Sequence, residues 1–206
     1  MSPKVSDEYK EQKKKALLDS AMTCFAEKGY HAATVDDIVT HSGMSKGAVY
    51  NYFKSKEEIY LTLLEKATEA DLVTLKKSMA EAKSASEKMK QLFQLKKGMP
   101  YKSEPTRKWA AVQLEFWINA SRYPELKEKM LERLQMYRTL LIDIIREGQD
   151  NGEFRRNINA EHFSEMFFAF EDGVFINLLI EEDDYPFKEV LELYEQLALS
   201  KLLTKE

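Results

Sequence analysis

Apolar residues recur at helical spacing along most of the chain, and no long β-branched alternating run competes with them. Leu17, Ala21, Cys24 and Phe25 form one stripe, which predicts a helix from about Glu8 to Lys28 that Gly29 stops. Residues 1–7, with Pro3 and polar groups, are expected to fray. Val35, Ile38 and Val39 share one face of a short helix, and Thr34 with Asp37 has capping-box spacing at its start. Gly43 can take the left-handed conformation that ends this helix. Ser45 caps the next, in which Val49 and Phe53 point inward while Lys46, Gly47, Tyr50 and Asn51 lie on the outer surface. Ser55 and Glu58 open a longer helix with Ile59, Leu63 and Leu64, running to about Ala80. Ser84 and Glu87 open another through Met89, Leu92, Phe93 and Leu95, which Gly98 and Pro100 end. Pro105 suits the first turn of a helix holding Trp109, Val112, Phe116 and Trp117. Pro124 begins a helix that ends near Asn151-Gly152. Asn159 caps one containing Phe163, Phe167, Val174 and Leu178, and Pro186 starts the last, with Val190, Leu193, Tyr194 and Leu197. The expected fold is all-α, with about nine helices.

Thr34 to Phe53 is two short helices joined by a turn with a glycine, the pattern of a helix-turn-helix whose second helix can enter a DNA major groove. An ordinary helical hairpin with a solvated outer face has the same pattern. The run Ser-Lys-Gly-Ala-Val-Tyr-Asn-Tyr-Phe-Lys-Ser-Lys-Glu-Glu from Ser45 is more specific. It resembles the DNA-binding segment of the TetR family of one-component transcriptional regulators. The resemblance begins at Phe25-Ala-Glu-Lys-Gly-Tyr and covers about the first quarter of the chain. It implies a helix-turn-helix domain over residues 1–55 and a helical ligand-binding and dimerisation domain over 56–206. Carried over residue by residue, Thr34 and Ser45 match helix starts that contact phosphate, or they cap only. Lys46 and Gly47 match the opening of the recognition helix, where a missing Cβ lets the backbone approach the groove. Tyr50 and Tyr52 match phosphate contacts, although Tyr52 can instead be buried beside Val49 and Phe53. Asn51 can pair bidentately with adenine. Lys56 matches a lysine that holds phosphate at the start of the fourth helix.

Charge modifies this picture only slightly. The net charge is −4. Residues 1–56 hold nine Lys, no Arg and seven acids, hence +2. The remaining 22 basic and 28 acidic residues give −6. The amino end is therefore the part biased toward phosphate, without the Arg that most often reads guanine. Lys10, Lys13, Lys14 and Lys15 are either an arm near the DNA backbone or a solvated turn. Cys24 is the single cysteine and sits on an apolar face, as a small core residue does. His31, His41 and His162 have no ligand spacing, and the acidic run 181–184 lacks the spaced oxygens and glycine of a calcium loop, so neither a metal nor a cofactor is expected. No apolar run is long enough to span a bilayer and no signal peptide is evident, which points to a cytoplasmic protein with no membrane partner.

The later helices carry Phe93, Trp109, Phe116, Trp117, Tyr137, Phe163 and Phe167. In the family the corresponding helices surround a ligand cavity, so these aromatics are the expected lining of a largely apolar pocket; plain hydrophobic core is the other reading of each. Glu115, Asn119, Glu171 and Asn177 are polar groups within apolar helices that can orient a ligand or lie on a helix flank. Gly173 inside a helical pattern costs roughly 1 kcal/mol relative to alanine, which close helix approach at a subunit interface would offset. The resemblance implies a homodimer through helices at about 159–181 and 186–203, with Gly173, Val174, Val190, Leu193 and Leu197 in the contact. The reading is a DNA-binding regulator, a repressor released from a palindromic operator by a small molecule. The rivals are a helical protein–protein interaction module without DNA binding and a small all-α enzyme; the latter needs a buried acid–base pair that the sequence does not display.

Overall fold

The computed structural model describes residues 6–204. Residues 1–5, which include most of the stretch expected to fray, lie outside the described residues. Among the described residues nine α-helices follow one another: α1 Asp7–Lys28, α2 Val35–Ser42, α3 Lys46–Tyr52, α4 Lys56–Ser78, α5 Ala85–Lys97, α6 Glu104–Ala120, α7 Pro124–Asp150, α8 Ala160–Glu181 and α9 Phe187–Leu202. A single 3-10 turn, Glu182–Asp184, joins the last two. No strand occurs among the described residues, only one isolated bridge between Phe154 and Leu203.

Local chemistry accounts for most helix starts. Ser6, Thr34, Ser45 and Ser84 each accept a backbone N–H with the side-chain oxygen, at the starts of α1, α2, α3 and α5. At Thr34 the box is complete, because the Asp37 carboxylate also accepts the Thr34 N–H at 2.9 Å. Asn159 does the same for α8, its Oδ1 accepting the His162 N–H at 2.7 Å. Gly43 closes α2 with φ +65°, a left-handed value that costs glycine nothing.

The helices pack into two compact units. One comprises residues up to Thr68 together with Lys108–Lys127; the other comprises Glu69–Arg107 with residues from Glu128 onward. The sequence predicts a division at residue 55, whereas the first unit also takes in the start of α4 and most of α6.

In the first unit Leu17, Ala21, Phe25, Ile38 and Val49 have no exposed surface. Around them Tyr30, Tyr60 and Phe116 form an aromatic nest: Tyr60 stacks on Phe116 at 3.9 Å, and Tyr30 meets both edge-on at 5.1 and 5.0 Å. In the second unit Phe93, Phe167 and Tyr194 meet at 5.5 to 5.7 Å within a core that also takes Met89, Leu141, Ile145 and Phe163. A smaller cluster gathers Val174, Leu178, Tyr185, Phe187 and Leu191.

Candidate nucleic-acid interface and effector body

The helix-turn-helix presents a clean division of faces. Val49 and Phe53 are buried, while Ser45, Lys46, Gly47, Tyr50 and Asn51 are exposed along one side of α3. Thr34 is exposed at the start of α2 and Tyr52 is half-buried. Nothing stands within 4 Å of the point where a Cβ would sit on Gly47, so the backbone there is open to approach. Lys46 makes an exposed ion pair with Asp36 at 2.7 Å, which raises the lysine's pKa. Asp37 is held down at about 2 by the Lys28 ammonium at 2.6 Å and by the Thr34 backbone and hydroxyl. Thr34 and Ser45 thus act as caps in the free chain, and their outward position leaves phosphate contact open to both.

Lys56 stands elsewhere than a solvent-facing phosphate contact would. Its Nζ donates to the carbonyls of Tyr30 at 2.7 Å, Ala33 at 2.9 Å and His31 at 3.2 Å. It also lies 4.6 Å from the Tyr30 ring centre. An ammonium has three N–H donors, and here each has a carbonyl. In the free chain Lys56 therefore ties the segment between α1 and α2 to the start of α4.

The same segment is gripped from the other side by a residue whose role the sequence did not reveal. Glu115 of α6 accepts the Tyr30 N–H with Oε2 at 2.7 Å and the His31 N–H with Oε1 at 2.8 Å. Gly29 makes room: its φ is +79°, and a Cβ there would stand 3.0 Å from Glu115 Oε2. As a polar group inside an apolar helix, Glu115 could be read as a ligand-orienting side chain. The structure gives it two backbone amides 84 and 85 residues earlier in the chain. Burial, with help from Glu57, pushes the Tyr30 hydroxyl above its ordinary pKa.

The seven aromatics expected around one pocket do not share one environment. Trp109, Phe116 and Trp117 belong to the first unit, where Phe116 is fully buried against Tyr60 and Tyr30, and Trp109 lies 6.2 Å from Tyr60. Phe93, Phe163 and Phe167 are core residues of the second unit. Tyr137, half-buried in the same unit, donates its hydroxyl to Asp71 at 3.0 Å. The second unit also has a small, partly open space of about 10 Å³ beside Lys96, Glu171 and Phe187, and a more open cleft of about 360 Å³ flanked by Lys76, Lys88, Asp143 and Glu147. None of the seven lines either space.

On α8 and α9 the expected contact residues divide by exposure. Leu193 and Leu197 are more than half exposed, one turn apart on α9. Val174 is 4 % exposed and packs inward with Phe187 and Leu191, and Val190 flanks the same cluster, so both serve this unit's own core. Gly173 has nothing within 4 Å of its missing Cβ. Met166, Ile176 and Ile180 are exposed apolar residues on α8 that the sequence reading did not single out. With Gly173 they fall at spacings of seven, three and four, a single stripe along the helix.

A three-helix head with an outward recognition helix, followed by a larger all-helical body, defines the class of helix-turn-helix transcriptional regulators. Residues 17–63 match the family described as bacterial regulatory proteins, tetR family, and residues 97–202 match the C-terminal region of BetI-type transcriptional repressors. The chain belongs to the TetR family and is a DNA-binding, ligand-responsive regulator of the repressor type. Among its relatives is the uncharacterized HTH-type transcriptional regulator YfiR of Bacillus subtilis, 29% identical over 184 residues, covering 89% of this chain and 88% of that protein. The structure of FadR from Bacillus subtilis in complex with stearoyl-CoA is 26% identical, with a TM-score of 0.75 over 91% of this chain and 98% of that one. The fold is shared by a transcriptional regulator from Saccharomonospora viridis solved with choline, at 20% identity and TM-score 0.82, over 95% and 100% of the two chains. No helix among the described residues is long and apolar enough to cross a membrane.

Proposed function

We propose that the chain acts as a homodimer that holds a two-fold symmetric operator with one α3 per subunit and leaves it when a small molecule enters the second unit. The observation that carries this reading is the face of α3. Lys46, Gly47, Tyr50 and Asn51 are all exposed on a helix whose opposite side, at Val49, is wholly buried. A solvated surface helix needs no such combination of an amide, a bare backbone and a phenol. Asn51 is the base reader, and Tyr50, Ser45 and Thr34 contact phosphate. Tyr52, half-buried, supports the helix from beneath.

Dimerisation places the stripe of Met166, Gly173, Ile176 and Ile180 on α8 and Leu193 and Leu197 on α9 against their two-fold mates. Such an isologous contact removes the exposed apolar surface from water, and the open Gly173 permits close helix crossing. The effector enters among the aromatic helices of the second unit, near Phe93, Phe163, Phe167 and Tyr137. FadR holds stearoyl-CoA and the Saccharomonospora viridis regulator holds choline; either kind of ligand needs apolar walls with a few polar groups. The helices α4 and α6 run from one unit into the other. A ligand that binds two placements of α6 unequally would shift the segment that Glu115 grips, and with it the head.

The test is competition binding of the purified protein to the DNA upstream of its own gene against random DNA, with footprinting of the protected site. A symmetric footprint that Asn51→Ala makes less selective supports the reading. Equal affinity for operator and random DNA in the unsubstituted protein would sink it.

A further inference from the structure

The second unit contains an ion pair that neither the DNA-binding nor the dimer reading uses. Lys96, in the last turn of α5, pairs with Glu171 in the middle of α8. Glu171 is only 8 % exposed, whereas the Lys96 side chain keeps 21 %. The Lys96 ammonium also lies 5.6 Å from the centre of the Phe167 ring. Beside the pair is the small, partly open space of about 10 Å³, walled by Met99, Val174, Phe175, Phe187 and Leu191. One turn along α9 from Leu191, the Tyr194 hydroxyl is buried with no hydrogen-bond partner. Burial and the negative charge of Glu171 both raise its pKa.

Stability alone does not account for the pair. Desolvating two charges commonly cancels their attraction, and an apolar pair of the same volume is often as stable. A buried carboxylate, a ring face, an unsatisfied hydroxyl and apolar walls are instead the parts that recognise an organic cation. We propose that Lys96 is a tethered occupant of such a site, and that the effector is an amphiphilic organic cation whose ammonium replaces that of Lys96 on Glu171. This names the chemical class of the effector and rests on the regulator reading above.

Charge decides between a cation and an anion. Glu171 sits mid-helix and is nearly buried, whereas Lys96 is the more exposed partner and its long, flexible side chain can swing the ammonium out. Exchanging one ammonium for another leaves the buried charge unchanged. An anion drawn to Lys96 would have to settle beside Glu171, with the Asp172 carboxyl next in the chain, and would add an uncompensated buried charge. Withdrawal of the Lys96 side chain also enlarges the small space at the pair, where an alkyl or aryl body finds Met99, Phe175 and Leu191. The Tyr194 hydroxyl is then available to a second polar group.

Three probes of equal length test this by calorimetric titration at neutral pH: octylammonium, octanol and octanoate. The expected order is octylammonium at least tenfold tighter than octanol, with octanoate weakest. Lys96→Met keeps the stem and removes the competing ammonium, so it should tighten octylammonium binding by a further tenfold or more. Glu171→Gln should bring octylammonium and octanol to within about twofold of each other. Far-UV circular dichroism checks that each variant is folded, and the ranking on the unsubstituted protein stands without them. Octanoate binding tighter than octylammonium, or all three binding alike or not at all, overturns the proposal, as does a folded Lys96→Met with no gain. Operator binding without probe is measured alongside: if it persists while the cation preference is missing, the site assignment fails and the regulator reading does not.

Discussion

Replacing Lys56 with methionine separates two roles that look alike in the sequence. Methionine keeps most of the apolar stem and removes the ammonium, so the carbonyls of Tyr30, His31 and Ala33 lose their donor. The His31 residue is exposed and water can replace its bond. Tyr30 and Ala33 are 4 % and 1 % exposed, so their carbonyls are left without a partner. An orphaned buried acceptor costs about 1–3 kcal/mol. Allowing for water entering the vacated space, the two together cost about 2–4 kcal/mol. For a chain of 206 residues that lowers Tm by about 5–15 °C. The assay is a thermal melt followed by competition binding to operator at several salt concentrations, well below the melting range. A carbonyl lock predicts the drop in Tm, weaker operator binding, and a salt slope close to that of the unsubstituted protein. A phosphate contact predicts a slope smaller by about 1 for each contact removed. A Tm within a degree of the original, together with the smaller slope, would refute the lock.

Glu115→Ala should destabilise the first unit by about 1–3 kcal/mol, chiefly through the buried Tyr30 amide, and should weaken operator binding while leaving octylammonium titration unchanged; a melt and a gel shift measure both. Gly173→Arg should yield a folded monomer by light scattering, because a single chain has open space at that Cβ; a dimer that persists would move the interface elsewhere. The Asp172 carboxyl is pushed up to about 6 by burial first and the neighbouring Glu171 second, against the pull of Arg138, Arg133 and Lys96. A raised carboxyl pKa means that the folded chain favours the proton, so the penalty is fully present above pH 6 and fades as pH falls toward the ordinary value of 3.8. Asp172→Asn should therefore be more stable by about 1–2 kcal/mol at pH 8, with no difference near pH 4 in parallel denaturant melts.

What was legible in the sequence was local. The caps at Thr34, Ser45, Ser84 and Asn159 join atoms three residues apart, so their spacing alone announces them. The inward Val49 and outward Asn51 follow from helical period in the same way. The candidate interface helices were also correctly bounded, but which stripe of each faces outward was not. The resemblance implies Val174 and Val190 in the contact, and within one chain they pack on the cluster around Phe187 and Leu191. Ile176 and Ile180 have the same hydrophobicity and the opposite orientation. The aromatics expected around one pocket divide between the two units for a related reason. Phe116 and Phe167 are both fully buried phenylalanines on amphipathic helices, and only packing assigns the first to Tyr60 and the second to Phe93.

The turn before α2 shows why long-range contacts were out of reach and why they matter for the mechanism. Residues 29–33 form no regular helix of their own, so their amides and carbonyls need partners. Glu115 supplies acceptors for the amides of Tyr30 and His31, and Lys56 supplies donors for the carbonyls of Tyr30, His31 and Ala33. No motif marks either partner, because each satisfies backbone rather than a side chain. Both reagents are charged, so their hydrogen bonds are stronger than neutral ones and fix distance as well as direction. The segment that leads into α2 is therefore held between Lys56 of α4 and Glu115 of α6, the two helices that continue into the second unit. A displacement of Glu115 relative to this turn strains both of its hydrogen bonds. It must break the Glu115 bonds or carry residues 30 and 31 with it, and the second course moves the cap at Thr34, three residues on, from which α2 starts.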